Sequence, residues 1–85
     1  MVTFRVEVRY LPGVEDPEAL TVKRNLKILG YDSVSGVSMA RIYELTFEDG
    51  KDAHGKDAHE KVEKLARNLL SNPVINSYTI TETGD

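Results

Sequence analysis

The chain has 85 residues and contains no cysteine. It therefore has neither disulfide bonds nor thiolate ligands for a metal, and a cysteine nucleophile is excluded. A chain this short buries only roughly 60–65% of the surface that its unfolded form exposes, so its hydrophobic core is modest. Association with a partner is the remaining common route to stability, and the composition predicts one.

Long apolar runs are also missing. No stretch approaches the roughly 20 residues that cross a bilayer. Residues 1–8 alternate polar and apolar side chains and lack the apolar segment of a signal peptide. We therefore expect a cytoplasmic protein without a membrane partner, and the lack of cysteine fits a reducing compartment.

Basic residues are not in excess. The chain has 11 Lys and Arg against 14 Asp and Glu, for a formal net charge of −3. Nucleic-acid binding usually needs a concentrated basic surface, because neutralising phosphates supplies most of the affinity. Lys23, Arg24 and Lys27 cluster on what reads as the solvent face of a helix. The sequence therefore predicts no nucleic-acid partner.

No constellation typical of catalysis is present. The two histidines, His54 and His59, lie in a tandem GKDAH repeat over residues 50–59. Five residues apart, they would point about 140° away from each other on a helix, unlike the i, i+4 pair of a helical zinc site. There is no Gly-x-Ser-x-Gly motif and no glycine-rich phosphate loop. We expect no catalytic residue, no cofactor and no metal site in this chain.

The first half of the sequence predicts a strand and then a helix. Residues 2–10 alternate apolar and polar side chains, which is typical of a strand with one packed face. Asp16 followed by Pro17 predicts a helix start. The helix is predicted over 17–29, with Gly30 after its end. Its apolar stripe comprises four residues: Ala19, Val22, Leu26 and Leu29.

The second half predicts two strands, a helix and a strand. Val37 and Met39 open one strand, the next covers 43–47, and a sharp turn is expected near 40–42. The second helix is predicted from near Asp57, after a loop over 50–56, and a final strand over 74–82 precedes a frayed tail, 83–85. The helix carries a stripe of Ala58, Val62, Leu65 and Leu69 and ends at Ser71, Asn72 and Pro73.

This order of elements defines the predicted fold. We expect a single α+β domain over 1–85, a ferredoxin-like β-α-β-β-α-β sandwich in which two helices cover one face of an antiparallel sheet. Several residues are harder to explain as scaffold: a rigid corner after the second helix, an exposed cation in the predicted hairpin, and amphipathic tyrosines. The candidate interface residues are Arg41, Tyr43, Asn72, Pro73, Val74 and Tyr78.

Four segments carry a family resemblance. They are 14–17 (VEDP), 29–31 (LGY), 37–45 (VSMARIYEL) and 69–78 (LLSNPVINSY), of which the last is the most specific. These segments resemble PurS, the small subunit of formylglycinamidine ribonucleotide synthase in purine biosynthesis. The resemblance runs from about residue 3 to residue 81.

The resemblance implies a role in assembly. PurS-like chains form dimers, or dimers of dimers, and join a large ATP-dependent synthetase (PurL) to a glutaminase (PurQ). Ammonia released from glutamine then reaches formylglycinamide ribonucleotide in the synthetase. The small subunit supplies no catalytic group in this scheme, which agrees with the separate search of the sequence for catalytic residues.

Three features differ from the family's usual pattern. Ala19 stands where many members of the family have Gly. The family commonly has Gly-Lys where this chain has Ala40 and Arg41, and the segment before the second helix is about five residues longer, a length that the repeat explains. The alternative interpretation is a ferredoxin-like regulatory module that binds a small metabolite at a dimer interface. That module needs a glycine-rich turn after the first strand, and residues 11–13 match it weakly.

Overall fold

A computed structural model describes residues 2–48 and 55–84. Strand β1 (Val2–Tyr10) is followed by helix α1 (Pro17–Ile28), strand β2 (Ala40–Phe47), helix α2 (Gly55–Leu65) and strand β3 (Asn76–Gly84). A π-helical turn, Ala66–Leu70, continues α2. The described strands form one antiparallel sheet in the order β2-β1-β3.

The core lies between α2 and one face of the sheet. The alternation of β1 buries Val2, Phe4, Val6 and Val8 on this face, which we call the inner face. Alternate residues such as Arg5 point to the outer face, where Arg5 pairs with Glu44 of β2 at 3.0 Å. From α2 and the π turn, three small or branched residues complete the core: Ala58, Val62 and Ala66.

Helix α1 begins as the sequence predicts but does not join this core. Asp16 accepts hydrogen bonds from the amides of Glu18 and Ala19, and Gly30 adopts a positive φ of 90° just after the helix. No described residue of α1 belongs to the core cluster. The chain is 53 Å long, with a radius of gyration of 16.7 Å against about 12 Å for a compact domain of this length. Helix α1 therefore projects from the sheet.

The α+β class and the antiparallel sheet with two helices are confirmed. The predicted bounds of β1 are confirmed, and α1 ends one residue earlier than predicted. The described part of the chain has three strands rather than four. The turn expected near 40–42 is absent, because Arg41 and Tyr43 pair with Val8 and Val6 of β1 in one continuous register. Among the described residues of one chain, the helical part of the core comes from α2 and the π turn.

The second half shows further differences from the prediction. Helix α2 already includes residues 55 and 56, which were predicted as loop, whereas residues 50–54 lie outside the described residues. The last strand begins at Asn76, because the amides of Ile75 and Asn76 are held in a turn by the carbonyl of Asn72. Residues 83 and 84 extend β3 rather than fray: the Thr83 hydroxyl donates to the Thr3 carbonyl.

The stripe predicted for α2 is also corrected. Ala58 and Val62 are buried as expected, but Leu65 and Leu69 are exposed and Ala66 is buried. Ala66 follows Val62 at the ordinary i+4 spacing of an α-helix. A π turn contains more residues per turn than an α-helix, so the row continues from Ala66 to the half-buried Leu70 rather than to Leu69. Leu69 is therefore turned out to solvent.

Candidate protein interface

Three of the six candidate residues lie together on the inner face. Arg41 and Tyr78 flank Val8 from the two outer strands, and Tyr43 occupies the next inner-face position of β2. Directly paired residues on neighbouring strands point to the same face. The three side chains therefore share a face, at the end of the sheet from which α1 projects.

Arg41 connects this group to α1. Its guanidinium donates a hydrogen bond to Glu18 Oε1 at 3.0 Å. The side-chain hydrogen bond to Tyr43, and then the contact with Glu18, raise the pKa of Arg41 above its ordinary value. Because Arg41 and Glu18 are 69% and 60% exposed, this ion pair contributes little to stability. The pair orients a permanently charged side chain that remains largely accessible to solvent.

The other three candidates form a rigid corner between the π turn and β3. The amide of Asn72 donates to Asn76 Oδ1 at 2.8 Å, and the amide of Val74 donates to Asn72 Oδ1 at 3.1 Å. The corner is tied to the end of β1, because the amide of Leu11 donates to the Ile75 carbonyl at 2.8 Å. These bonds hold Pro73 and Val74 at an exposed tip, with Val74 79% accessible.

Sequence reasoning missed the apolar surface next to this corner. Ser71 follows the π turn, and its hydroxyl donates to the Ala66 carbonyl at 2.7 Å. Leu69 was predicted to be buried in the stripe of α2, but it is exposed. No sequence signal marks a π turn, since it needs the same residue types as an α-helix. Contiguous exposed apolar patches commonly mark contacts with other proteins, whereas a single exposed leucine does not by itself.

Sequence reasoning also missed the exposed apolar surface of α1 and of the segment that follows it. We call residues 17–39 the α1 arm. Sequence reasoning placed its stripe against the chain's own sheet, whereas the structure leaves much of the arm uncovered. Its exposed large apolar residues are Leu20, Val22, Ile28, Leu29, Tyr31, Val34 and Met39.

A groove lies between the start of α1 and the end of α2. It has a volume of about 230 Å³, with Val8, Tyr10 and Leu70 as its apolar floor and Arg41 and Asn76 at its rim. A second, more open groove of about 440 Å³, lined by residues that include Leu11, Pro12 and Gly13, lies within the usual range of small-molecule sites, about 300–1,000 Å³. The groove beside Arg41 is small for a metabolite. It is the right size for a single protruding side chain of another protein.

No metal site is evident among the described residues. They contain no group of three or more His, Cys, Asp or Glu side chains that could hold a metal. The ring of His59 lies edge-on to Phe4, with 6.3 Å between the ring centroids, so it packs at the margin of the core. His54 lies outside the described residues. No helix in the described ranges is long and apolar enough to cross a membrane.

Comparison with known proteins identifies the family. The family model of PurS, described as phosphoribosylformylglycinamidine (FGAM) synthase, matches residues 3–84. The chain belongs to the PurS family. A relative from Methanocaldococcus jannaschii, the phosphoribosylformylglycinamidine synthase subunit PurS, is 33% identical over 75 residues. That match covers 88% of this chain and 87% of the relative.

Solved PurS structures share the fold of this chain. The crystal structure of Methanocaldococcus jannaschii PurS matches with a TM-score of 0.80 at 29% identity, covering 100% of this chain and 99% of that chain. The structure of PurLQS from Thermotoga maritima matches with a TM-score of 0.65 at 28% identity and covers 95% of both chains. Since these matches span nearly the whole chain, they include the α1 arm.

Proposed function

We propose that this chain is a non-catalytic assembly subunit of FGAM synthase in purine biosynthesis. The observation that carries the proposal is the PurS family match across residues 3–84. The similarity to a chain of the Thermotoga maritima PurLQS structure supports a place in a multi-subunit complex. A subunit that works alongside the enzymes of purine synthesis is expected in the cytoplasm, so we propose a cytoplasmic location for this chain.

In this role the chain brings two enzymes together. The glutaminase subunit releases ammonia from glutamine, and the ATP-dependent synthetase transfers it to formylglycinamide ribonucleotide. The small subunit contributes surfaces rather than reacting groups. The rigid tip of Pro73 and Val74 and the charged, outward-facing Arg41 are suited to docking, because neither must be reordered on binding. Tyr43 and Tyr78 supply aromatic area beside Arg41.

Self-association is part of the same proposal. The chain exposes 6255 Å², against about 5,000 Å² for a compact monomer of its mass. A stable interface buries about 800 Å² of each partner, so the excess of about 1,200 Å² is enough for one such contact. Strands β2 and β3 also each have an unpaired outer edge in the described sheet. We propose a dimer, or a dimer of dimers, as the working form.

Reconstitution tests the proposal. The chain is mixed with the synthetase and glutaminase of its own source, with glutamine and nucleotide present, and the complex is isolated by size exclusion. We expect all three subunits to co-elute and glutamine-dependent amidine formation to require the chain. A Val74→Asp variant should weaken this complex, while Asn68→Asp, which adds the same charge at an exposed position of the π turn, should not.

The competing function gives a different result. A metabolite-binding module would remain separate from both enzymes, and its groove would bind a small metabolite with a measurable heat or thermal shift. Failure to co-elute under saturating glutamine and nucleotide, together with metabolite binding that is lost in Arg41→Gln, would overturn the assembly role.

A further inference from the structure

Helix α1 carries a second surface besides its apolar stripe. Its members recur at spacings of three and four residues, so they are neighbours on one side of the helix: Leu20, Lys23, Arg24 and Lys27. We call these four residues the basic face. At roughly 100° per residue, its cations are centred about 140° away from the apolar stripe. The basic face therefore stays open to solvent when the stripe is covered.

The charge of the chain is divided unevenly along its length. Residues 19–31 hold three of the 11 basic residues and none of the 14 acidic residues. This segment therefore carries +3 and the rest of the chain carries −6, which together give the net charge of −3. The basic face is thus a local positive surface on an otherwise acidic protein.

No carboxylate neutralises the basic face within the described part of the chain. Lys23, Arg24 and Lys27 form no ion pair with any described residue. Glu18 is the only acidic residue of α1, and its carboxylate is already held by Arg41 at 3.0 Å. The three cations are therefore available to carboxylates of another molecule.

The stability of α1 does not explain this arrangement. A cation in the last turn interacts favourably with the helix dipole, which accounts for Lys27 but not for Lys23 in the middle of the helix. Like charges four residues apart, as in Lys23 and Lys27, destabilise a helix. The spacing therefore weakens α1 in the isolated chain, and carboxylates from a partner would remove the repulsion.

The charge pattern also selects the kind of partner. Contact with the same face of a second copy would set like charges against each other across a two-fold axis. Nucleic acid is disfavoured, because three cations are few and the −6 carried by the rest of the chain repels phosphate. An acidic protein surface with an apolar recess fits both the cations and the side chain of Leu20, which is 37% exposed.

We infer that the basic face of α1 docks on an acidic surface of a partner enzyme of the complex. This inference rests on the proposed function and specifies the chemistry of one contact. Opposite charges steer two proteins together, so the basic face should raise the rate at which the chain associates with that enzyme. Because the cations are on the protein surface, this contribution should fall as salt is added.

A charge reversal with a matched control tests the inference. The chain is bound to the synthetase and glutaminase of its own source, with glutamine and nucleotide present, and the rate constants are measured by interferometry at about 50 and 300 mM salt. Lys27→Glu should raise the dissociation constant at least about tenfold at the lower salt, mainly through slower association, and less at the higher salt. Lys27→Arg keeps the charge and should bind as the original chain does.

Lys64→Glu is the matched control. Lys64 is the basic residue in the last turn of α2, as Lys27 is in the last turn of α1, so both reversals change the net charge and the helix end alike. The dissociation constant of Lys64→Glu should stay within about threefold of the original. Sedimentation and circular dichroism of both variants check self-association and helix content.

The outcomes separate the basic face from assembly itself. A complex that forms equally well with Lys27→Glu overturns the inference but leaves the assembly role standing. An equal loss of affinity in Lys27→Glu and Lys64→Glu shows an effect of net charge alone and also overturns it. If Lys27→Glu instead breaks self-association, the face belongs to a contact between copies and the inference is wrong. Absence of any complex with the unmodified chain overturns the proposed function and the inference together.

Discussion

Replacing Leu29 by serine should weaken self-association strongly. Leu29 is 70% exposed in one chain and lies on the apolar stripe of the α1 arm, which we expect the proposed self-association to cover. Full burial of a leucine side chain contributes about 1.5–3 kcal/mol, so burying the exposed 70% contributes roughly 1–2 kcal/mol. A two-fold dimer contains the contact twice, which gives about 2–4 kcal/mol and a rise of roughly 30- to 1,000-fold in the dissociation constant.

The dissociation constant is measured by sedimentation over a dilution series. Ile42→Thr is the matched control, because Ile42 is also an exposed large apolar residue but lies on the outer face of β2. Circular dichroism of both variants checks that the helices still form. A dissociation constant for Leu29→Ser within about threefold of the original would refute the assignment of this stripe to the interface.

Three further predictions concern the core, the charge of Arg41 and the repeat. Val62 is fully buried, so Val62→Ala should lower the free energy of unfolding by about 2 kcal/mol in urea titrations; a loss below about 0.5 kcal/mol would contradict the assigned core. The pKa of Arg41 is raised, so its favourable contacts are present below its unfolded pKa and are lost only as the pH rises through the folded value. The affinity of the three-subunit complex should therefore not change through Arg41 between pH 6 and 9, whereas Arg41→Gln should weaken it at every pH in that window. Deleting residues 50–54, which removes one copy of the repeat, should leave the sedimentation of the dimer unchanged; a shift to monomer would show that the added segment is needed.

The elements with a strong local pattern could be predicted from the sequence. The alternation of β1 sets its bounds, and the Asp16 cap with Pro17 sets the start of α1. Strand β2 was harder, because its continuity depends on pairing with β1 rather than on local residues. The π turn has no recognisable pattern of its own, so the exposure of Leu69 could not be predicted.

The candidate interface could be predicted from the sequence only in part. The NPVI corner was recognisable because proline ends a helix and asparagine side chains bond to neighbouring amides. The three candidates of this corner and the three on the sheet remain predictions as contact residues. The apolar stripe of α1 indicated that something covers the helix, but a stripe carries no information on which chain provides the cover. That is why sequence reasoning placed α1 on its own sheet.

The outward direction of α1 has a consequence for the abundance of the protein. If α1 is buried only on assembly, folding stability follows mass action, and each tenfold dilution lowers the stability of the dimer by about 1.4 kcal/mol. The midpoint of thermal unfolding should then rise with protein concentration. A cell that makes too little of this subunit would hold a partly unfolded pool open to proteolysis, so the supply of the small chain would limit how much of the complex persists.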